Sequence, residues 1–269
     1  MNDLSNPALV RRMELILAEA SATFFEGTDP KRSSVEVARF GSAVGVVDYS
    51  PAGRLNRVAG LGIGELATEA TIDAMVERYG GAGIKTFFVW VTPNAQPVKL
   101  PAMLEARGFK HDRSAAKIAR STREPATIET DLRIEPAGAQ DKDAVAEVLS
   151  AGFGMSIERG RVVADSVDRD DWRWYVAWDG DTPAGTGGLY IRDGVGWLGY
   201  GATAPAYRRR GGQGAIIARR VAEAGALGID WVTSETAEDT PDTPISSYHN
   251  MIRNGFELIY VMKGYAYGV

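Results

Sequence analysis

Residues 207–215 read Tyr-Arg-Arg-Arg-Gly-Gly-Gln-Gly-Ala, and that mixture suits an anion. Arg208, Arg209 and Arg210 can give charge-assisted hydrogen bonds. Gly211, Gly212 and Gly214 let ligand oxygens approach the backbone, because no Cβ intervenes. A second set of residues could move protons. Ser-Glu-Thr-Ala-Glu-Asp (234–239) carries Glu235 and Glu238, and Tyr248 and His249 follow closely. The chain has no cysteine and only two histidines, His111 and His249. Disulfides, thiolate sites, cysteine intermediates and a histidine-based metal centre are therefore not expected.

The arginine–glycine stretch needs a frame, and the flanking sequence supplies one. Residues 132–136 read as a strand, 139–153 as a helix with Asp141 in its opening turn, and 156–171 as mixed helix. Three apolar runs follow at 172–178, 184–191 and 195–203, joined through Asp179-Gly180 and Asp193-Gly194, which is hairpin chemistry. Residues 215–226 have helical periodicity, with Ile216, Ile217, Val221 and Ala224 on one side. The stretch thus lies between a strand and a helix N-terminus, where unpaired amides and the helix dipole favour an anion.

The two halves of the chain rhyme. Val76–Ile84 ends a helix at Gly83 before a strand, and Val221–Ile229 does the same at Gly228. Each strand is followed by a helix closing on Gly-Phe, at Gly108-Phe109 and Gly255-Phe256. The offsets are 145 and 147 residues, which points to a duplicated domain. Residues 120–131 are polar and lack periodicity, so they read as a linker. The expected division is 1–122, a linker at 123–131, and 132–269.

Arg209-x-x-Gly212-x-Gly214 resembles the R/Q-x-x-G-x-G/A pyrophosphate loop of the GNAT N-acetyltransferase superfamily. It fits neither a Walker loop nor a dinucleotide fingerprint. Ser247, Asn250, Arg253, Gly255 and Phe256 resemble the final helix of many bacterial members. The resemblance covers about residues 132–263 and implies an α/β (α+β) fold of two tandem GNAT-like domains, each a mixed, mostly antiparallel sheet flanked by helices. It implies that Ala202, Thr203 and Ala204 meet the acetyl group and pantetheine arm of acetyl-CoA. The amides from Arg209 to Gly214, with Arg208, Arg210, Gln213 and Ala215 beside them, would hold the pyrophosphate. Ser247 and Asn250 would contribute from the last helix. The first half resembles a degenerate copy: Gly64, Ala67 and Glu69 stand where Arg209, Gly212 and Gly214 do, and Glu65 replaces Arg210. It is expected not to bind coenzyme A.

The implied activity is transfer of an acetyl group from acetyl-CoA to a primary amine of a small molecule, by direct attack. Such a reaction needs a base for the amine proton and an acid for the leaving thiolate. Glu235 is the first candidate base and Tyr248 the candidate acid. A non-catalytic coenzyme A-binding sensor or scaffold is the alternative. Glu235, Glu238, Asp239 and Asp242 would suit a cationic acceptor, although a solvated loop explains them as well. A net charge of −5, with the acidic excess in the second half, argues against nucleic-acid binding. No apolar run is long enough for a membrane span, and the N-terminus has none of the marks of a signal peptide. A cytoplasmic address is expected, and a homo-oligomer is compatible with the sequence.

Overall fold

The computed structural model describes residues 6–26, 33–50, 53 and 55–269. The chain divides into two compact units: Met1–Ala116 with Tyr260–Val269, and Lys117–Ile259.

In the first unit, α1 (Pro7–Thr23) begins where the Asn6 side chain accepts the Ala8 amide at 3.0 Å and Pro7 presets the first φ. β1 (Val35–Phe40), β2 (Ala43–Asp48) and β3 (Arg57–Ala59) pair antiparallel in turn, and β4 (Phe87–Val91) joins β3 in parallel. The crossover between β3 and β4 is α2 (Glu69–Gly81), which buries Ile72, Met75 and Tyr79. Tyr79 stacks on Phe87 with ring centroids 4.0 Å apart. Its buried hydroxyl donates to the carbonyls of Val46 and Arg57, so the phenol's polar end is satisfied inside the core. Next come α3 (Leu100–Glu105) and β5 (Lys110–Ser121), of which the part up to Ala116 belongs to this unit.

In the second unit, β6 (Arg133–Pro136), β7 (Trp172–Asp179), β8 (Thr182–Arg192) and β9 (Val195–Thr203) form an antiparallel meander. Asp193 and Gly194 have φ of 50° and 73°, the turn that the Asp-Gly pair was expected to make. Helices α4 (Lys142–Phe153) and α5 (Ile157–Ala164) lie between β6 and β7, and α6 (Gly212–Ala226) follows β9. Ile216, Ile217, Val221 and Ala224 of α6 are all buried, as their spacing predicts. Burying an isoleucine or valine side chain in this way contributes about 1.5–3 kcal/mol. α4 and α6 cover opposite faces of the sheet. Gly152 of α4 sits over Ala202, whereas Ile216 of α6 packs under Gly185 and Gly187. β10 (Trp231–Ala237) pairs in parallel with β9, and α7 (Ser246–Arg253) leads to β11 (Glu257–Tyr267).

The four helix-ending glycines behave alike. Gly83 and Gly228 have φ of 73° and 76°, and Gly108 and Gly255 have 85° and 79°. The chain's last strand differs from the sequence reading, which keeps it with the second half. Lys263–Tyr267 pairs antiparallel with Val91–Phe87 of β4. The alternating Tyr265 and Tyr267 supply aromatic surface to the core around Phe87 and Phe109, and burial of that surface favours the first unit's sheet.

Candidate functional site

The arginine–glycine stretch leaves β9 through a 3₁₀ turn at Pro205–Tyr207. Arg209 has a φ of 65°, and Gly211 caps α6 with a φ of 80°. The first helical bond runs from the Ala215 amide to the Gly211 carbonyl at 3.0 Å. The amides of Gly212, Gln213 and Gly214 precede it, and no side chain caps the helix. A 15-residue helix with an uncapped start presents donors and a positive dipole end to an anion. Arg208 and Arg209 are exposed beside it. A non-glycine residue with positive φ costs of order 1–2 kcal/mol, so Arg209 is held there by its surroundings.

Arg210 is used differently. Its guanidinium binds Asp131 and Asp179 together, with Nη2 to Asp131 at 2.5 Å and Nη1 to Asp179 at 2.9 Å. Arg210 holds both carboxyls below the ordinary carboxylate range. Its charge therefore closes a corner of the protein rather than standing open. Residues 128–132, read from sequence as linker and strand start, form the wall of this corner. Thr130 Oγ1 donates to the Arg210 carbonyl at 2.7 Å. A Cβ on Gly211 would meet the Glu129 carbonyl oxygen at 2.4 Å, one on Gly212 would meet Leu132 at 2.7 Å, and one on Gly214 would meet Ile128 at 3.0 Å. The missing Cβ atoms thus make room for the chain's own segment, while the amides keep their own direction.

Beyond the loop, the sheet opens. β9 and β10 pair only at Val195–Trp231, Gly196–Val232 and Trp197–Thr233, and then run on without further pairs. On the other edge of β9 the register with β8 shifts between Thr186 and Gly188. The extra residue falls at Tyr200–Gly201, where Tyr200 has a φ of 52°; this is a bulge. The Ala204 amide donates to the Ala184 carbonyl at 2.9 Å, and Thr203 stands opposite Gly185. Amides alternate between the edges of a strand. Ala202 and Ala204 therefore spend theirs on β8, and Thr203 directs its amide into the gap facing β10. Gln213 of α6 lies against Gly201 at the bulge. A Cβ on Gly201 would lie 2.1 Å from its Nε2, and its Oε1 is buried without a partner.

Glu235 stands on β10 past the last pair with β9. Its Oε1 bonds Lys117 Nζ, and its Oε2 accepts the Trp197 indole N–H at 2.7 Å. Lys117 and Glu235 are 3% and 10% exposed, so both carboxylate oxygens are engaged inside the protein. Breaking such a pair leaves a buried charge uncompensated. Glu235→Gln is expected to lower stability by about 3–5 kcal/mol in urea unfolding. The double variant Lys117→Met/Glu235→Leu should recover most of that loss. Equal stability of Glu235→Gln and the parent would contradict the pairing.

On α7, Ser247 is exposed, and the helix cap is Ile245, with no side-chain capping bond. Tyr248 is half-buried, its ring 5.9 Å from that of His249. His249 Nε2 lies 3.1 Å from Asp239, which also accepts the Ile245 amide. Asn250 accepts from Arg253. Neighbouring Asn254, which the sequence reading passed over, is 2% exposed. Its Nδ2 donates to the Asn250 carbonyl and stands beside Gly214, while its Oδ1 has no partner. Lys117 and Arg220 were passed over as well. Only their burial marks them, and burial of a single charged residue leaves no local signal.

Residues 144–241 match the model of the Acetyltransferase (GNAT) family. In structure, the chain is similar to the GCN5-related N-acetyltransferase from Kribbella flavida, with a TM-score of 0.62 at 16% identity over 95% of this chain and 96% of that one. It is also similar to the GCN5-related N-acetyltransferase from Sphaerobacter thermophilus, with a TM-score of 0.59 at 16% identity over 83% and 79%. The protein has the GNAT fold. A tandem GNAT protein from the clavulanic acid biosynthesis pathway is also similar, with a TM-score of 0.55 at 12% identity over 73% of this chain and 68% of that one. No curated protein matches the sequence. The match over residues 144–241 is to a family of acetyltransferases, and the similar structures share the fold. Among the described residues, no helix is long and apolar enough to cross a membrane.

Proposed function

We propose that the chain is an acetyl-CoA-dependent N-acetyltransferase that acts on a primary amine of a small molecule. The observation that carries this reading is the parting of β9 and β10 beside the uncapped start of α6. A slot between two strands can take an extended arm, and the helix start can take the phosphates at its end. The residues fit coenzyme A on that ground. When bound, acetyl-CoA supplies the activated acetyl group and a thiolate leaving group. The chain's part is to bind, orient and move protons. The amides of Gly212, Gln213 and Gly214, with Arg208 and Arg209, hold the pyrophosphate. The Thr203 amide donates where negative charge develops on the acetyl oxygen. Ser247 and Asn250 contribute from α7, and the Tyr248 hydroxyl serves as proton donor.

Glu235 as base must act while bonded to Lys117 and Trp197. That engagement favours a second reading, a coenzyme A-binding sensor without transfer. The first unit is read as a degenerate copy that does not take coenzyme A, because its corresponding helix is already capped. Thr68 accepts the Thr71 amide at 3.1 Å, and Glu69 stands in the first turn. The acceptor is read as a small amine, cationic amines included, with no role for nucleic acid or membrane, in the cytoplasm; a homo-oligomer fits this reading.

Calorimetry with acetyl-CoA tests the reading, with micromolar binding expected. No heat at several hundred micromolar would sink both readings. A thiol-release screen over amines then separates them, since a sensor stays silent across the panel.

A further inference from the structure

Arg220 lies in α6, two turns from the arginine–glycine loop, and is 2% exposed. Among the described residues its hydrogen bonds go to carbonyls. Nε donates to Ile216 at 3.3 Å, and Nη1 donates to Gly188 at 2.9 Å and Gly199 at 3.2 Å. Gly188 and Gly199 are partners across β8 and β9 at the register shift. Gly187, beside them, has no room for a side chain, because a Cβ there would stand 2.8 Å from the guanidinium carbon. Nη2 points toward Gly201, 3.6 Å from where a Cβ would stand, and Gln213 Nε2, from the same helix, lies 2.1 Å from that point. A guanidinium thus fills the bulge from beneath, and two glycines are spaced to admit it.

An arginine is an expensive filler. Burial lowers its pKa to about 9, and none of its hydrogen-bond partners is a carboxylate. At neutral pH it stays a cation, and the cost of burying that charge is met only by carbonyl dipoles. An apolar side chain would pack there at lower cost, so the charge is retained for something other than stability. The arrangement gives it a use. It fixes the carbonyls on both sides of the bulge, and the bulge sets which way Gly201 and Thr203 turn their amides.

We propose that Arg220 is the positioning residue of the acetyl-donor slot: it wedges the β8–β9 bulge so that the amides past the bulge face β10. The part of this proposal that concerns the donor rests on the acetyltransferase reading above; the part that concerns the bulge does not.

The test uses the full chain with Arg220→Met, Arg220→Lys and Gly187→Ala, read by thermal melting, calorimetry with coenzyme A, and amide hydrogen exchange across β8 and β9. Arg220→Met should melt no lower than the parent, yet bind coenzyme A at least tenfold more weakly. Its amides from Gly199 to Thr203 should exchange at least tenfold faster. Arg220→Lys should recover part of both losses, since an ammonium keeps the charge but cannot reach both carbonyls with one planar fork. Gly187→Ala displaces the guanidinium without removing it and should reproduce the Arg220→Met pattern, so the proposal stays testable if Arg220→Met fails to fold. Unchanged binding and unchanged exchange in these variants overturn the proposal. If the parent chain binds no coenzyme A, the acetyltransferase reading falls, and exchange alone decides the wedge: faster exchange supports it, and unchanged exchange overturns it.

Discussion

Thr203→Pro should cut acetyl transfer by about 10²–10³-fold while leaving coenzyme A binding within a few-fold of the parent, the range seen when one preorganised donor is lost. The reasoning is specific to this strand. A proline inside a sheet normally breaks a ladder bond, but Thr203 sits between two residues that bond β8 and does not itself bond there. Proline therefore removes only the amide that faces β10. Ala202 before it is already extended, as a residue preceding proline must be. Thr203→Val keeps the amide and changes only the side chain, so it should stay near parent activity. Steady-state rates and calorimetry on the three proteins decide the matter. Full activity in Thr203→Pro would show that no donor is needed at this position.

Reversing two charges should have a comparable effect on binding. Arg208→Glu/Arg209→Glu is expected to weaken coenzyme A by at least about 100-fold, since each charge-assisted hydrogen bond contributes about 1.5–3 kcal/mol. The loss should shrink at 1 M salt, where the screening length falls to about 3 Å. Both side chains are exposed and neither closes a corner of the fold, so melting should be little changed. Arg210→Glu is expected to behave otherwise. It would set a third carboxylate against Asp131 and Asp179 and should lower the melting temperature before binding is even considered. Equal affinity of the double variant and the parent would remove the two arginines from the seat and leave the helix amides alone.

Much of the second unit was legible in its residues. Asp193-Gly194 turns the chain because both positions tolerate positive φ. Ile216, Ile217, Val221 and Ala224 fall on one face of α6 because of its period. The position of the arginine–glycine stretch between a strand and a helix also followed from order along the chain. Residues 128–131 read as part of a polar, aperiodic linker; in the structure Ile128 and Glu129 lie against two of the loop glycines, and Leu132, at the strand start, lies against the third.

By itself the sequence determined the local terms: turn chemistry, helix period, helix stops, and the place of the arginine–glycine loop between a strand and a helix. The tertiary structure alone decided which charges are spent and which stand open. Lys117 meets Glu235 across 118 residues, Asp131 meets Arg210 across 79, and Arg220 meets Gly188 across 32. The physical reason is that Coulomb attraction and desolvation depend on distance through space and on burial, neither of which is encoded by spacing along the chain. Three adjacent arginines with the same chemistry therefore divide into two that face outward and one that is already answered by two aspartates.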